Sequence, residues 1–355
     1  MIQIYKNARL GNTITDIIVK DGIIVGLEKT DAKGIDLNGM SARPGLIDIH
    51  THGCVNCDTM DGNGLLEMAK FQAAHGITSF APTTMTADIE HLKQITNVDI
   101  KYSKGANILG FHLEGPYISE IFKGAQNSRY ICNPSISEFS KLKNVIMVTL
   151  APELDGSISF IKSCGCKVCL GHTQADFVKA SEAFDAGANC VTHMFNAMPP
   201  LLHREPSVVG AAFEKNAFVQ IICDGIHIHS SVVKMVHKLF GTKRMILISD
   251  SMRATGLGNG EFDLGGQKVT VRGKEARLSD GTLAGSVSSL ADCVRKSIEI
   301  GIDTDDAWRM ASETPGEFLG IKKGRIEIGY DADFVVTDEN LNILKTIIGG
   351  YIRDN

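Results

Sequence analysis

Six residues able to bind a metal ion sit where short apolar runs end: His50, His52, Glu114, His172, His193 and Asp250. His50 and His52 are separated by one residue, so on a strand both imidazoles project from the same side and can hold one ion. His172 and His193 are spaced by about one helix plus one strand, which predicts that they end adjacent strands and hold a second ion or share the first. Glu114 lies in His112-Leu-Glu-Gly-Pro116, where Gly and Pro stop a strand and leave the carboxylate at its rim, with two oxygens that can bridge two ions. Four histidines with two carboxylates suit zinc or iron with a position left open for water, rather than magnesium or calcium. Asp250 ends the run Met245-Ile-Leu-Ile-Ser-Asp250. A divalent ion lowers the pKa of a bound water from about 15.7 to about 7, and a neighbouring aspartate can take the proton and return it to a leaving group. Asp250 is therefore expected both among the metal ligands and as general base, then general acid. Any one of these histidines alone reads as an ordinary core or surface residue, but six such residues at run ends do not.

The segment 192–206 carries Asn196, the backbone amides near Ala197, and Arg204, between several prolines. An arginine fork and exposed amides suit a phosphate, although Arg204 taken alone reads as a surface partner of Glu205. His227 and His229 follow Cys223-Asp224-Gly225 and fit substrate donors, ligands or loop residues, ligation being the minor reading. Cys54 and Cys57 have a C-x2-C spacing, but Cys164, Cys166 and Cys169 do not supply the matching knuckle of a zinc ribbon. The glycines of 255–260 lack the strand-to-helix context of a dinucleotide fingerprint.

These residues need a scaffold that brings run ends together. From residue 44, eight apolar runs (46–52, 77–83, 107–114, 145–152, 167–172, 188–193, 217–224 and 245–250) alternate with amphipathic stretches such as 65–71 and 177–184. Alternating strands and helices imply right-handed crossovers and a parallel sheet, and eight units close into an α/β (β/α)8 TIM-like barrel whose strand ends share one face. Residues 262–283 suggest a β-hairpin insertion, and 288–300 and 304–318 two further helices. The first 43 residues and the tail contain short β-branched runs, with Asp21-Gly22 as a hairpin turn. The expected organisation is a small β-sandwich domain built from 1–43 plus 322–355 beside a barrel of 44–321.

The 355 residues carry a net charge of -5, with 43% apolar and 22% charged residues, a globular composition that excludes a polybasic nucleic-acid binder. No run reaches the roughly 18 apolar residues of a membrane span, and Met1 to Leu10 lacks a signal-peptide core, so the expected setting is cytoplasmic with no membrane partner. Nine cysteines, an odd number partly within strand-like runs, are expected as reduced thiols.

Pro44-Gly-Leu-Ile-Asp-Ile-His-Thr-His-Gly53 and Gly329-Tyr-Asp-Ala-Asp-Phe-Val-Val336 resemble the amidohydrolase superfamily. With His112-Leu-Glu-Gly-Pro116, Leu170-Gly-His-Thr173, Thr192-His-Met-Phe-Asn-Ala-Met-Pro199, Arg204-Glu-Pro206, Asp224-Gly-Ile-His227 and Ile248-Ser-Asp250, the whole chain is similar to the N-acetylglucosamine-6-phosphate deacetylases within it. The resemblance implies removal of the acetyl group from N-acetyl-D-glucosamine 6-phosphate in amino-sugar catabolism. It assigns metal ligation to Glu114, His172 and His193, catalysis to Asp250, and substrate or phosphate contacts to Asn196, Ala197, Arg204 and His227. It also implies a homodimer in which the phosphate-binding Arg and His can come from the neighbouring subunit. Some relatives lack the first-strand histidines and bind one ion; both are present here, which implies one or two ions per subunit. Relatives place a sugar-contacting histidine where this chain has Gln126, which can donate a hydrogen bond but cannot become cationic. The competing readings are a deacetylase of another amino-sugar phosphate, a cyclic-amide hydrolase, and a silent sugar-phosphate-binding barrel. Cyclic-amide hydrolases often carry a modified lysine where Glu114 stands.

Overall fold

The computed structural model describes residues 1–101 and 104–353. Residues 102–103 and 354–355, which fall in the ranges expected for the barrel and the small β unit, lie outside the described residues.

Eight parallel strands form the barrel: Leu46–Thr51, Ile77–Thr84, Phe111–Glu114, Val145–Leu150, Lys167–Leu170, Cys190–Val191, Phe218–Ile222 and Met245–Ile248. Each neighbours the next, and the eighth closes on the first through a parallel Thr51–Ser251 bridge and the Asp250 amide donating to the His50 carbonyl at 2.9 Å. The third run is interrupted: Asn107–Ile108 pairs with the second strand, Gly110 turns at φ 132°, and Phe111–Glu114 resumes the ladder. Only glycine adopts that conformation freely.

The connecting helices carry the caps their sequences offer. Asp176 accepts from the Lys179 amide at the start of Phe177–Asp185, and Ser289 and Asp292 form a reciprocal capping box at Leu290–Glu299. One apolar layer lies between helices and barrel. A second fills the barrel, with Ile47, Ile49, Met147, Ile222, Ile246 and Ile248 packed over Phe318. Phe318 plugs the end opposite the strand termini, and its truncation to alanine should cost about 3–5 kcal/mol.

Two expectations are corrected. The stretch 304–318 is two helices, Thr304–Met310 and Glu313–Leu319. Pro315 lacks an amide hydrogen and its ring would clash with the carbonyl four residues back, so the chain breaks at Ser312 (φ −138°, ψ −75°). The insertion after the eighth strand is a three-stranded antiparallel meander, Gly260–Leu264, Gln267–Arg272 and Glu275–Leu278, rather than a hairpin. Gly265 (φ 58°) and Gly266 (φ 82°) make its first tight turn, and Gly273 (φ 61°) makes its second.

Both chain ends meet in one eight-stranded, mostly antiparallel sheet, in which Ser41–Pro44 joins Ile2–Leu10 to Phe334–Thr337. An Ile23–Asp331 bridge links the sheet back on itself around a core that includes Tyr5, Ile17, Phe334 and Ile347. Asp21 and Gly22 both have positive φ, as a tight hairpin turn requires. Lys323 Nζ lies 2.5 Å from buried Asp333, at the junction where Asn107 of the barrel also reaches Asp333. Among the described residues no helix is long and apolar enough to cross a membrane. All nine cysteines are free thiols.

Candidate active site

The strand termini bring His50, His52, Glu114, His172, His193 and Asp250 into one buried cluster. Pairing between the first two strands is irregular from Asp48 to Thr51. Such a bulge re-aims side chains, and here His50 faces inward directly after inward Ile49. His172, His193 and Asp250 follow the last paired residues of their strands with φ of 47°, 26° and 48°. These left-handed conformations cost about 1–3 kcal/mol each in a non-glycine residue and are held by the surrounding fold.

Glu114 is the hub. Its Oε1 lies 3.3 Å from His50 Nε2, 3.3 Å from His172 Nε2 and 3.1 Å from His193 Nε2, while Oε2 lies 3.2 Å from His52 Nε2. Asp250 Oδ1 is 3.3 Å from Nε2 of both His50 and His52. The Nε2 atoms of His172 and His193 are 3.0 Å apart.

The other ring nitrogens explain the arrangement. Nδ1 of His50 faces Gln220 Oε1 at 3.0 Å, that of His52 faces the Thr83 carbonyl at 3.2 Å, and that of His172 faces the Phe122 carbonyl at 2.9 Å. All three partners are acceptors, so each Nδ1 donates its hydrogen, which leaves each Nε2 facing Glu114 as the nitrogen free to ligate a metal. Among the described residues, His50 Nε2 is buried without a hydrogen-bond partner. Converging lone pairs beside two carboxylates fit a divalent cation. Bonds of about 2.0–2.2 Å at tetrahedral angles would set ligand atoms about 3.3–3.6 Å apart, close to the separations here. The donors form two sets sharing Glu114: His50 with His52, and His172 with His193.

The electrostatics agree. Burial pushes the Glu114 and Asp250 carboxyls up, but the surrounding imidazoles outweigh it and hold both below the carboxylate range. Burial disfavours a charged His52, yet Asp250 and Glu114 outweigh that and raise it well above the ordinary imidazole value. A field that attracts a proton there attracts a metal cation. Beneath the cluster, burial keeps His112 far below its usual pKa, and its Nε2 is 2.7 Å from Thr149 Oγ1.

A cavity of about 390 Å³ opens over the cluster, lined also by Gln126, Asn196, Ala197 and His227, with Leu264, Thr282 and Leu283 from the meander region as one wall. His227 Nδ1 is 2.7 Å from Asp224 Oδ2. Gln126 is buried and contacts Glu114. Arg204 does not line this cavity: it is exposed and borders a separate one of about 580 Å³ with Phe177, Val178 and Leu202. His229 caps the helix Ser230–Phe240, accepting from the Ser231 amide. Gln220 joins the site unannounced by any motif, its one signal being a polar residue inside the apolar run Phe218–Ile222. Thr83 and the Phe122 carbonyl join it too, and local sequence offers no signal for either.

The model of the Amidohydrolase family matches residues 42–353. The chain is 39% identical over 333 residues to the N-acetylglucosamine-6-phosphate deacetylase of Bacillus subtilis (strain 168), covering 87% of this chain and 83% of that protein. It is 35% identical over 345 residues to the enzyme of the same name from Homo sapiens, covering 89% of this chain and 84% of the relative. The crystal structure of N-acetylglucosamine-6-phosphate deacetylase from Thermotoga maritima superposes with a TM-score of 0.90 at 33% identity, over 99% of each chain.

Proposed function

The chain belongs to the amidohydrolase family, and from that footing we propose that it is a metal-dependent deacetylase of a phosphorylated amino sugar. It hydrolyses the N-acetyl group of N-acetyl-D-glucosamine 6-phosphate to D-glucosamine 6-phosphate and acetate. The observation that carries the mechanism is the convergence of the Nε2 atoms of His50, His52, His172 and His193 on the Glu114 carboxylate.

Those five residues, with Asp250 beside them, would hold one or two divalent ions, zinc or iron. A bound ion supplies Lewis acidity to the attacking water and to the acetyl carbonyl. Asp250 lines the cavity next to the donors and stays ionised, so it takes the proton from the water and passes it to the departing amine. His227 sits where Asp224 outweighs the effect of burial and raises its pKa, which suits it to pair with the substrate phosphate. The Asn196–Ala197 backbone at the cavity wall orients the sugar phosphate.

Arg204 completes the phosphate site from the neighbouring subunit of a homodimer. Leu201 and Leu202, 40% and 48% exposed, and Val178, 72% exposed, give its surroundings an apolar surface for a second copy to cover. The enzyme serves amino-sugar catabolism in the cytoplasm. The test is acetate release by purified protein from N-acetylglucosamine 6-phosphate and from the unphosphorylated sugar. Release favouring the phosphorylated sugar is expected; no release from either would move the reading to another amidohydrolase substrate.

A further inference from the structure

We propose that Gln126 is a positioning residue that sets which way the Glu114 carboxylate faces, and thereby how tightly the centre holds metal. This rests on reading the cluster as a metal centre, and it replaces the substrate contact expected of this position.

Gln126 is 2% exposed, and both ends of its carboxamide are engaged. Oε1 accepts from the Thr86 amide at 2.7 Å, and Nε2 donates to Glu114 Oε2 at 2.8 Å. A backbone amide can only donate and a carboxylate can only accept, so the side chain has one consistent orientation. The terminal torsion of a glutamate is otherwise soft. With Oε2 held between Gln126 and His52, Oε1 is directed at His50, His172 and His193. One oxygen thus faces His52 alone, and the other is shared by His50, His172 and His193.

The same loop orients a second ligand, because the Phe122 carbonyl accepts from His172 Nδ1. The loop is itself tied down: Gln267 of the meander donates to the Ala125 carbonyl, and the Gln126 amide donates to the Lys123 carbonyl at 3.0 Å. Partners of this outer layer typically change metal affinity or activity by about 10–100-fold when removed.

The experiment compares wild type with Gln126→Met, which keeps length and bulk while losing both hydrogen bonds. Zinc affinity is measured by competition with a chromophoric chelator, and kcat and KM are measured at saturating zinc. The expected result is a roughly 10–100-fold weaker zinc affinity with KM for N-acetylglucosamine 6-phosphate within about twofold of wild type. Wild-type zinc affinity with a raised KM would overturn the proposal and return Gln126 to the role of substrate contact. Should the Met variant not fold, Gln126→Asn, one methylene short of spanning both partners, must weaken zinc in the same direction; undiminished affinity there would also overturn it. A wild-type protein that binds no zinc or iron would sink the metal-centre reading itself, an outcome distinct from either.

Discussion

Replacing Asp250 by asparagine separates proton transfer from everything else the residue does. Its backbone has φ 48°, its amide donates to the His50 carbonyl at 2.9 Å, and its carbonyl accepts from Ser286 at 2.7 Å. Asparagine tolerates the left-handed region nearly as well as aspartate, whereas alanine would add about 1 kcal/mol of strain and blur the result. The substitution keeps the shape and the barrel closure but removes a group that accepts a proton at neutral pH. Positioned acid–base catalysis is worth about 10²–10⁴ in rate, so kcat should fall by that factor, or about 3–5 kcal/mol of barrel-mouth chemistry. Glu114 and the four histidines keep their mutual separations of 3.0–3.3 Å, so metal content should stay at the wild-type level. Initial rates of acetate release and elemental analysis of the same sample read both quantities. A kcat within about tenfold of wild type, with metal retained, would refute the proton-carrier role; matching losses of metal and rate would make Asp250 a ligand first.

Arg204→Ala should raise KM for the phosphorylated sugar roughly 10–100-fold, the worth of one charge-assisted hydrogen bond, and leave turnover of the unphosphorylated sugar alone; equal losses on both sugars would remove Arg204 from the phosphate site. Burial disfavours a charged His227, but Asp224 outweighs it, with Asp250 adding to and Arg277 opposing the effect. The pKa is raised, so phosphate pairing and its share of stability are complete below the ordinary imidazole value and are lost as pH rises through the raised one. KM should therefore climb on the alkaline side, with the inflection shifted to lower pH in Asp224→Asn; an unmoved inflection would exclude His227. Lys323→Met strands Asp333, which is 1% exposed, and should cost about 3–5 kcal/mol in urea unfolding with kcat/KM unchanged. Asp333→Asn in the same background should recover most of it, and an unchanged midpoint would show the pair to be dispensable.

The clustered histidines and carboxylates are legible because each ends an apolar run, and a parallel barrel gathers run ends whatever their spacing. His50 and His52 share a side by strand periodicity, and that local rule survives even though the pairing around them is irregular. Features that depend on distant partners were not legible. Gln126 meets Thr86 across 40 residues and His50 meets Gln220 across 170, so no local pattern reports either contact. The meander reads as a hairpin in sequence because Gly265-Gly266 marks a turn openly while Gly273 marks the second one alone. The long last helix was expected because its apolar spacing continues through 304–318; the break follows from Pro315 and its clash with the preceding turn. Arg204 groups with the phosphate-contacting residues by motif alone, and the fold leaves it exposed beside a different cavity, a separation that local sequence does not report.

The most direct test of a metal-centred deacetylase is to strip the protein of metal, verify the removal by elemental analysis, and follow acetate release from N-acetylglucosamine 6-phosphate as zinc or iron is returned. The account predicts no turnover in the stripped protein and activity that rises with added metal to a plateau at one or two equivalents per subunit. Undiminished turnover in protein shown to be metal-free would contradict it.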